Sequence, residues 1–434
     1  MSVAGVTGVL SWLRARPAGT APAMGPPPVP DAQGGGLGDA RNGLFVYDRT
    51  ALAQAIRFDD IPVLPACNSR PMIAEGGPVW PDWEGMGAMR HMRAGLPIDL
   101  KPALPETPLT DMNEEAVWGG HVVDHFGHFA AENSTRLLQA VAGHPSARVL
   151  FTLEPGLRPG TVPGFFWQVL DWYGVASERV HFVTQPLRVR HLWAAPMAEQ
   201  LNGVVPSEAY LDLLARNRAR NRLPARPGGV VYVARDRMEA SGEGHNAGEP
   251  YLTGLLQGLG VHVIRPETMR LRDQLAWYDS ARTLVFSEGS AMHGRQFLGR
   301  LDQDIVILNR RPRMRVALAS LGARCNRLAY GEVTRGVASV LWSNGKPWMV
   351  RAISIYDTER LLAAFDAVGV ALREVWNRED YLAARDAAIG RWIGIRFAPD
   401  QRIDHAASLK GVRADFERLG LRHLLDRLPK GSAP

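Results

Sequence analysis

From residue 119 almost to its end, the chain alternates short apolar runs with longer amphipathic ones, and glycine or proline marks the joints. ARVLFTLE (147–154) is a compact apolar run stopped by Pro155-Gly156, which predicts a strand. FFWQVLDWYG (165–174) repeats its apolar positions at helical spacing and stops at glycine. ERVHFV (178–183) and VRHLWAAP (189–196) read as strands, and SEAYLDLLARNRARN (207–221) as a helix. The turn-rich LPARPGG (223–229) then predicts a linker between two units.

A second series follows the linker. Strands are predicted at 229–235, 261–267, 282–290 and 304–309, with helices at 249–260, 271–281 and 291–301 between them. Strand–helix alternation implies a parallel, doubly wound sheet. The expectation is therefore α/β: two facing Rossmann-like domains with a cleft between them, and a helical C-terminal region. Its pieces are a mobile Gly/Pro/Ala-rich tail over 1–42, a first domain over 43–225, a second over 226–345, and helices over 346–434. The last helical pattern, 408–428, is amphipathic and basic. It fits packing against the core, with a membrane surface as the alternative.

Composition narrows the classes. No run reaches the length of apolar residues that spans a bilayer. VAGVTGVLSWL (3–13) lacks a basic start and reads poorly as a signal peptide, so a cytoplasmic protein is expected. Cys67 and Cys325 show neither disulfide nor zinc spacing. The net charge of +6 is concentrated in the arginines of 213–229 and 309–315, which attract anions or merely form solvated faces. No nucleic-acid-binding pattern accompanies them. Trp80 and Trp83, among flexible glycines, suit packed core better than a sugar platform.

Two stretches carry candidate chemistry. In GGHVVDHFGHFAAENSTRLLQAV (119–141), a helix running through 121–136 would align Asp124, His128, Glu132 and Arg136 on one stripe, with His121 and His125 beside it. Alternatively Gly127 delays the helix until after His128. A histidine with a neighbouring carboxylate suits general-base work. The metal reading of His121, His125, His128 and Glu132 suffers because one helix spreads four such ligands over three turns. In SEGSAMHGRQF (287–297), a strand runs through a small-residue turn into a predicted helix, where free backbone N–H groups suit a pyrophosphate. Arg235 ends the neighbouring strand and could neutralise a diphosphate.

The ordered set of these elements resembles the family 61 glycosyltransferases. VYVAR supplies Tyr232 and Arg235 of one element; Glu249 stands where a helix opens, although Gly248 replaces the family's asparagine. Pro266, Glu267 and Gln274 match a further step, SEGSAMHG resembles a bacterial variant of the glycine-rich turn, and FGHFAAENSTRL supplies His128 and Arg136. The resemblance covers about residues 119–310. It implies the GT-B architecture and an inverting sugar transfer from a nucleotide-diphosphate donor to a glycan or lipid-linked glycan acceptor, in capsular or exopolysaccharide synthesis. His128, Glu132 and Asp124 would be catalytic; Arg235, Glu249, Ser287, Glu288, Gly289, Ser290 and His293 would hold the donor. By its place in the first turn, His293 could donate a proton or a hydrogen bond to the leaving diphosphate. No cofactor or metal is required in this reading, a divalent ion remaining compatible with it. Nucleic acid is not expected as a partner, and peripheral membrane contact is compatible with this reading. The alternatives are a histidine-based metal-dependent hydrolase and a non-catalytic scaffold of glycan assembly.

Overall fold

A computed structural model describes residues 52–430 apart from 71, 72 and 202; the segment 1–42 lies outside the described residues. Among the described residues the chain is a mixed α/β protein built on two larger sheets and two small ones.

The first sheet has six strands in the order Ile73–Pro78, Ile56–Arg70, Leu187–Ala194, Thr110–Val122, Arg148–Leu153, Val180–Phe182. Its last four strands run parallel, and Ile56–Arg70 joins antiparallel as part of an edge hairpin. The Pro-rich region before residue 119 thus supplies three strands that its composition concealed. Trp80 and Trp83 lie in the core beneath them, with the Arg90 guanidinium 4.4 Å from the Trp83 ring centre.

The stretch 119–141 corrects the expectation of a continuous helix. Thr110–Val122 is a strand, so His121 is a strand residue whose Nδ1 pairs with Thr152 Oγ1 in the interior. The helix begins at Phe126, capped by the His125 ring, whose Nδ1 accepts from the His128 N–H at 3.3 Å. It stops after Ala131; a 3₁₀ turn over Asn133–Arg136 leads into a second helix, Leu137–Gly143. The two opening glycines lie within the strand, where its register against Arg148–Leu153 shifts between Trp118 and Gly120. A side chain on Gly119 would overlap the Phe151 ring, and Gly120 has φ +106°, a conformation glycine adopts without strain.

The second sheet is wholly parallel, in the order His262–Ile264, Val230–Val233, Thr283–Ser287, Asp304–Leu308, Arg327–Gly331. Its central strands VVYV, TLVFS and DIVIL are buried almost throughout, as continuous apolar runs require when helices cover both faces. The predicted helix at 291–301 is instead a 3₁₀ run, Ser290–Phe297. It is wedged between the two units, with Gly294 against the rings of Tyr278 and Phe126.

A small sheet of His245–Asn246, Ile353–Tyr356 and Thr334–Ala338 adds a strand to the otherwise helical region after 346. The basic pattern at 408–428 divides into helix His405–Arg418 and a 3₁₀ turn, Arg422–Arg427. Val412, Phe416, Leu421 and Leu424 bury against Trp392 and Ile353, so this helix spends its apolar face on the core rather than on a membrane. The two large units also share one hydrophobic cluster, running from Val117 and Phe166 through Leu214 to Leu284 and Ile307. Glu199 and Arg324 form a buried ion pair across this junction at 2.6 Å.

Candidate functional site

In the second sheet the strand order reverses between Val230–Val233 and Thr283–Ser287: the chain goes first to one side, then to the other. In open parallel sheets such a switch leaves a crevice beyond the carboxyl ends of the strands, where ligands collect. Arg235 follows the first of these strands, and Gly289 and Ser290 follow the second. They line a cleft of about 680 Å³ whose opposite wall is His125, Phe126, Gly127 and His128. The walls nearly touch at one point, since a side chain on Gly127 would meet Ser290.

His128 is paired with Glu132, Nδ1 to Oε2, at 2.9 Å. Burial pushes the Glu132 carboxyl upward, but hydrogen bonds from His128 and Arg93 outweigh it and hold the group at about 2. An ionised carboxylate only accepts, so the imidazole hydrogen sits on Nδ1 and the Nε2 lone pair is left to act as acceptor. Glu132 is 1% exposed and clamped from the far side by Arg93, through Nε to Oε1 and through Nη2 to Oε2 at 2.8 Å. Arg93 comes from a short hairpin, Met92–Arg93 with Leu96–Pro97.

Asp124 does not join this pair. It is exposed in the turn before the helix, and its N–H donates to the Glu154 carboxylate at 3.0 Å. Arg136 also leaves the stripe, because the break at Glu132 rotates it inward. Its guanidinium donates to the carbonyls of Met89 and Arg90 at 2.8 and 2.7 Å.

The donor-side candidates divide. Arg235, Gly289, Ser290 and His293 line the cleft. Gly289 is extended, with φ 178°; its importance is steric, because any side chain there would overlap the Arg235 guanidinium. Arg235 is fastened by donating to the Gly244 carbonyl at 2.8 Å. Three other residues belong to the framework instead. Glu249 is 0% exposed and accepts from the Tyr232 hydroxyl at 2.8 Å and the Arg235 N–H at 3.0 Å. Ser287 is buried and accepts from the Asn246 amide. Glu288 is also buried, its carboxylate taken by the N–H groups of Arg310 and Arg311, both at 2.9 Å, and by the Arg311 guanidinium. It has no freedom to bind a ribose.

Glu288 instead draws Arg310 and Arg311 to the cleft, which both line. Neither is singled out individually by the sequence, where 309–315 reads as an arginine cluster that attracts anions or merely forms a solvated face. The cation of Arg310 persists at neutral pH although burial lowers its pKa to about 9.

His293 is corrected in role. Burial lowers its pKa to about 4, so the ring is neutral near pH 7. Its Nδ1 pairs with Gln296 Oε1 at 2.7 Å, which leaves Nε2 as an acceptor and not as a proton source. The four-ligand metal reading fails on placement, with His121 in the interior on its strand. Among the described residues no group of three or more His, Cys, Asp or Glu is arranged to hold an ion. Comparison with known proteins finds no matching family model and no matching curated protein.

Proposed function

We propose that this protein is a glycosyltransferase similar to family 61, moving a sugar from a nucleotide-diphosphate donor to a glycan or lipid-linked glycan with inversion. The two α/β units correspond in this reading to a GT-B layout, and capsular or exopolysaccharide synthesis at the cytoplasmic side is its setting. The observation that carries it is the pairing across one cleft of a carboxylate-bound histidine, His128, with the arginines 235, 310 and 311.

The chemistry follows from those groups. His128 Nε2 takes the proton of the acceptor hydroxyl as that oxygen bonds to the anomeric carbon. The bond from the anomeric carbon to the diphosphate oxygen breaks, and its electron pair leaves with the diphosphate. Arg235, Arg310 and Arg311 offset the charge that develops there, inside a partly dehydrated site where such pairing is strong. Glu132 stabilises the imidazolium, and Arg93 keeps Glu132 in place.

The test is calorimetric titration with UDP, GDP, CDP and CMP, followed by transfer assays with nucleotide sugars. Binding of at least one nucleotide, lost in Arg235→Ala, and transfer lost in His128→Ala are expected. No binding of any nucleotide would sink the reading; binding with transfer undiminished in His128→Ala would remove the base.

A further inference from the structure

A 3₁₀ run has three residues to the turn, so in Ser290–Phe297 the residues Ser290, His293 and Gln296 stand in one column. Two contacts fix the way that column faces. At its start, a side chain on Gly127 would lie 3.1 Å from Ser290 Oγ, so the column is turned towards the wall that carries His128. One turn on, His293 Nδ1 meets Gln296 Oε1 at 2.7 Å. Gln296 belongs to the framework: it is buried, and its backbone carbonyl accepts from Arg324 Nη2 at 3.2 Å. The ring of His293 is thus anchored through Nδ1. Its Nε2 has no partner among the described residues and is not sealed from solvent, and the open space beside the ring is the cleft.

That lone pair limits what can lie against it. With Nδ1–H given to Gln296, Nε2 only accepts. The ring is neutral near pH 7, because burial, with His125 and His128 nearby, opposes its protonation. The oxygens of an ionised diphosphate also only accept, so they have nothing to give this nitrogen. Their cations are Arg235, Arg310 and Arg311 in the same cleft. Whatever group meets His293 must bring its own O–H or N–H. In the transfer reading, on which this inference rests, the reacting carbon lies within reach of an acceptor held by His128, and the nucleobase lies at the far end of the diphosphate. The portion beside His293 is then the sugar.

We propose that His293 Nε2 accepts a hydrogen bond from a hydroxyl of the donor's sugar, with Gln296 as its positioning residue. This column, and not the arginines, then distinguishes a nucleotide sugar from the bare nucleoside diphosphate. The sugars it admits carry a free hydroxyl on that side, and a carboxylate there would face the lone pair and be rejected.

The experiment is calorimetric titration without acceptor. UDP, GDP and dTDP are compared with UDP-glucose, UDP-N-acetylglucosamine, GDP-mannose and dTDP-glucose on the unmodified chain, His293→Ala and His293→Gln. The quantity read is the affinity of a nucleotide sugar relative to its own diphosphate. His293→Ala should lower that ratio about three- to tenfold, the range for one neutral hydrogen bond. The affinity for the diphosphate alone should stay as it was, which also shows that the variant is folded. His293→Gln places an amide oxygen near the position of Nε2 and should restore the ratio to within about twofold. An unchanged ratio in His293→Ala overturns the proposal, as does a chain that binds a diphosphate and none of its sugars. A diphosphate affinity that falls as far as the sugar's also overturns it: the Gln296 amide would then be reversed and the ring would present an N–H to phosphate. Each of these outcomes leaves the transfer reading standing, whereas failure of every nucleotide to bind removes both.

Discussion

Arg93 Nη2 and His128 Nδ1 share one oxygen, Glu132 Oε2, at 2.8 and 2.9 Å. A guanidinium and an imidazole thus bracket a carboxylate that solvent does not reach. The arrangement fixes which nitrogen of His128 faces the cleft, and it makes Glu132 costly to disturb.

Glu132→Gln should lower transfer by about a hundredfold, the lower range for a general base deprived of its support. The amide leaves Arg93 without its counter-charge and no longer stabilises the imidazolium. Steady-state rates at saturating donor check this, and a loss confined to KM would contradict it. Arg93→Lys should give a milder loss, since lysine keeps the charge but not the two-point contact.

Acid should weaken the fold in two windows. His91 and His293 are each lowered from 6.5 to about 4, mainly by burial. Below 6.5 the unfolded chain takes up protons that the native chain refuses until about 4, so stability falls across that range. Glu132 acts lower, its contribution present above 4.5 and lost as pH falls towards about 2. Urea midpoints at steps from pH 7 to 3 should decline through the first window, and less steeply in His293→Gln. A flat midpoint between 6.5 and 4 would contradict the burial argument.

Gly289→Ala should weaken nucleoside-diphosphate binding tenfold or more, about 1.4 kcal/mol, while the protein stays folded. The backbone there is extended and accepts alanine, but the new methyl displaces the Arg235 guanidinium. Calorimetry and a thermal melt together test it. Unchanged affinity would mean that Arg235 does not grip the diphosphate.

Arg324→Met should destabilise the chain by about 3–5 kcal/mol, because it strands the buried carboxylate of Glu199. Pairing it with Glu199→Leu should restore part of the loss, since two apolar groups leave no lone charge. Denaturant titration of the single and double variants decides the point.

Much of this was legible in the sequence, unevenly. The second sheet could be read because strands buried on both faces appear as unbroken apolar runs, as in DIVIL and TLVFS. The strand Thr110–Val122 could not, since its first half, TDMNEE, lies towards solvent and carries no apolar signal. Ile56–Arg70 contains Pro62 and Pro65, which the sheet tolerates near its edge. In the site, His128 and Glu132 were visible as neighbours four apart. Arg93 lies 39 positions upstream, and nothing local marks it as the arginine that meets Glu132. Glu288 reads in the sequence as a ligand contact for the same reason: its two acceptor oxygens are consumed by a loop that only the fold brings near.

The apolar cluster that runs unbroken from one unit into the other has a mechanical meaning. A hinge at 223–229 could not swing the halves apart without tearing that interior open, and a cut there would yield two fragments with bare hydrophobic faces. The room an incoming substrate uses is therefore the cleft as it stands, about 680 Å³ between His128 and Arg235.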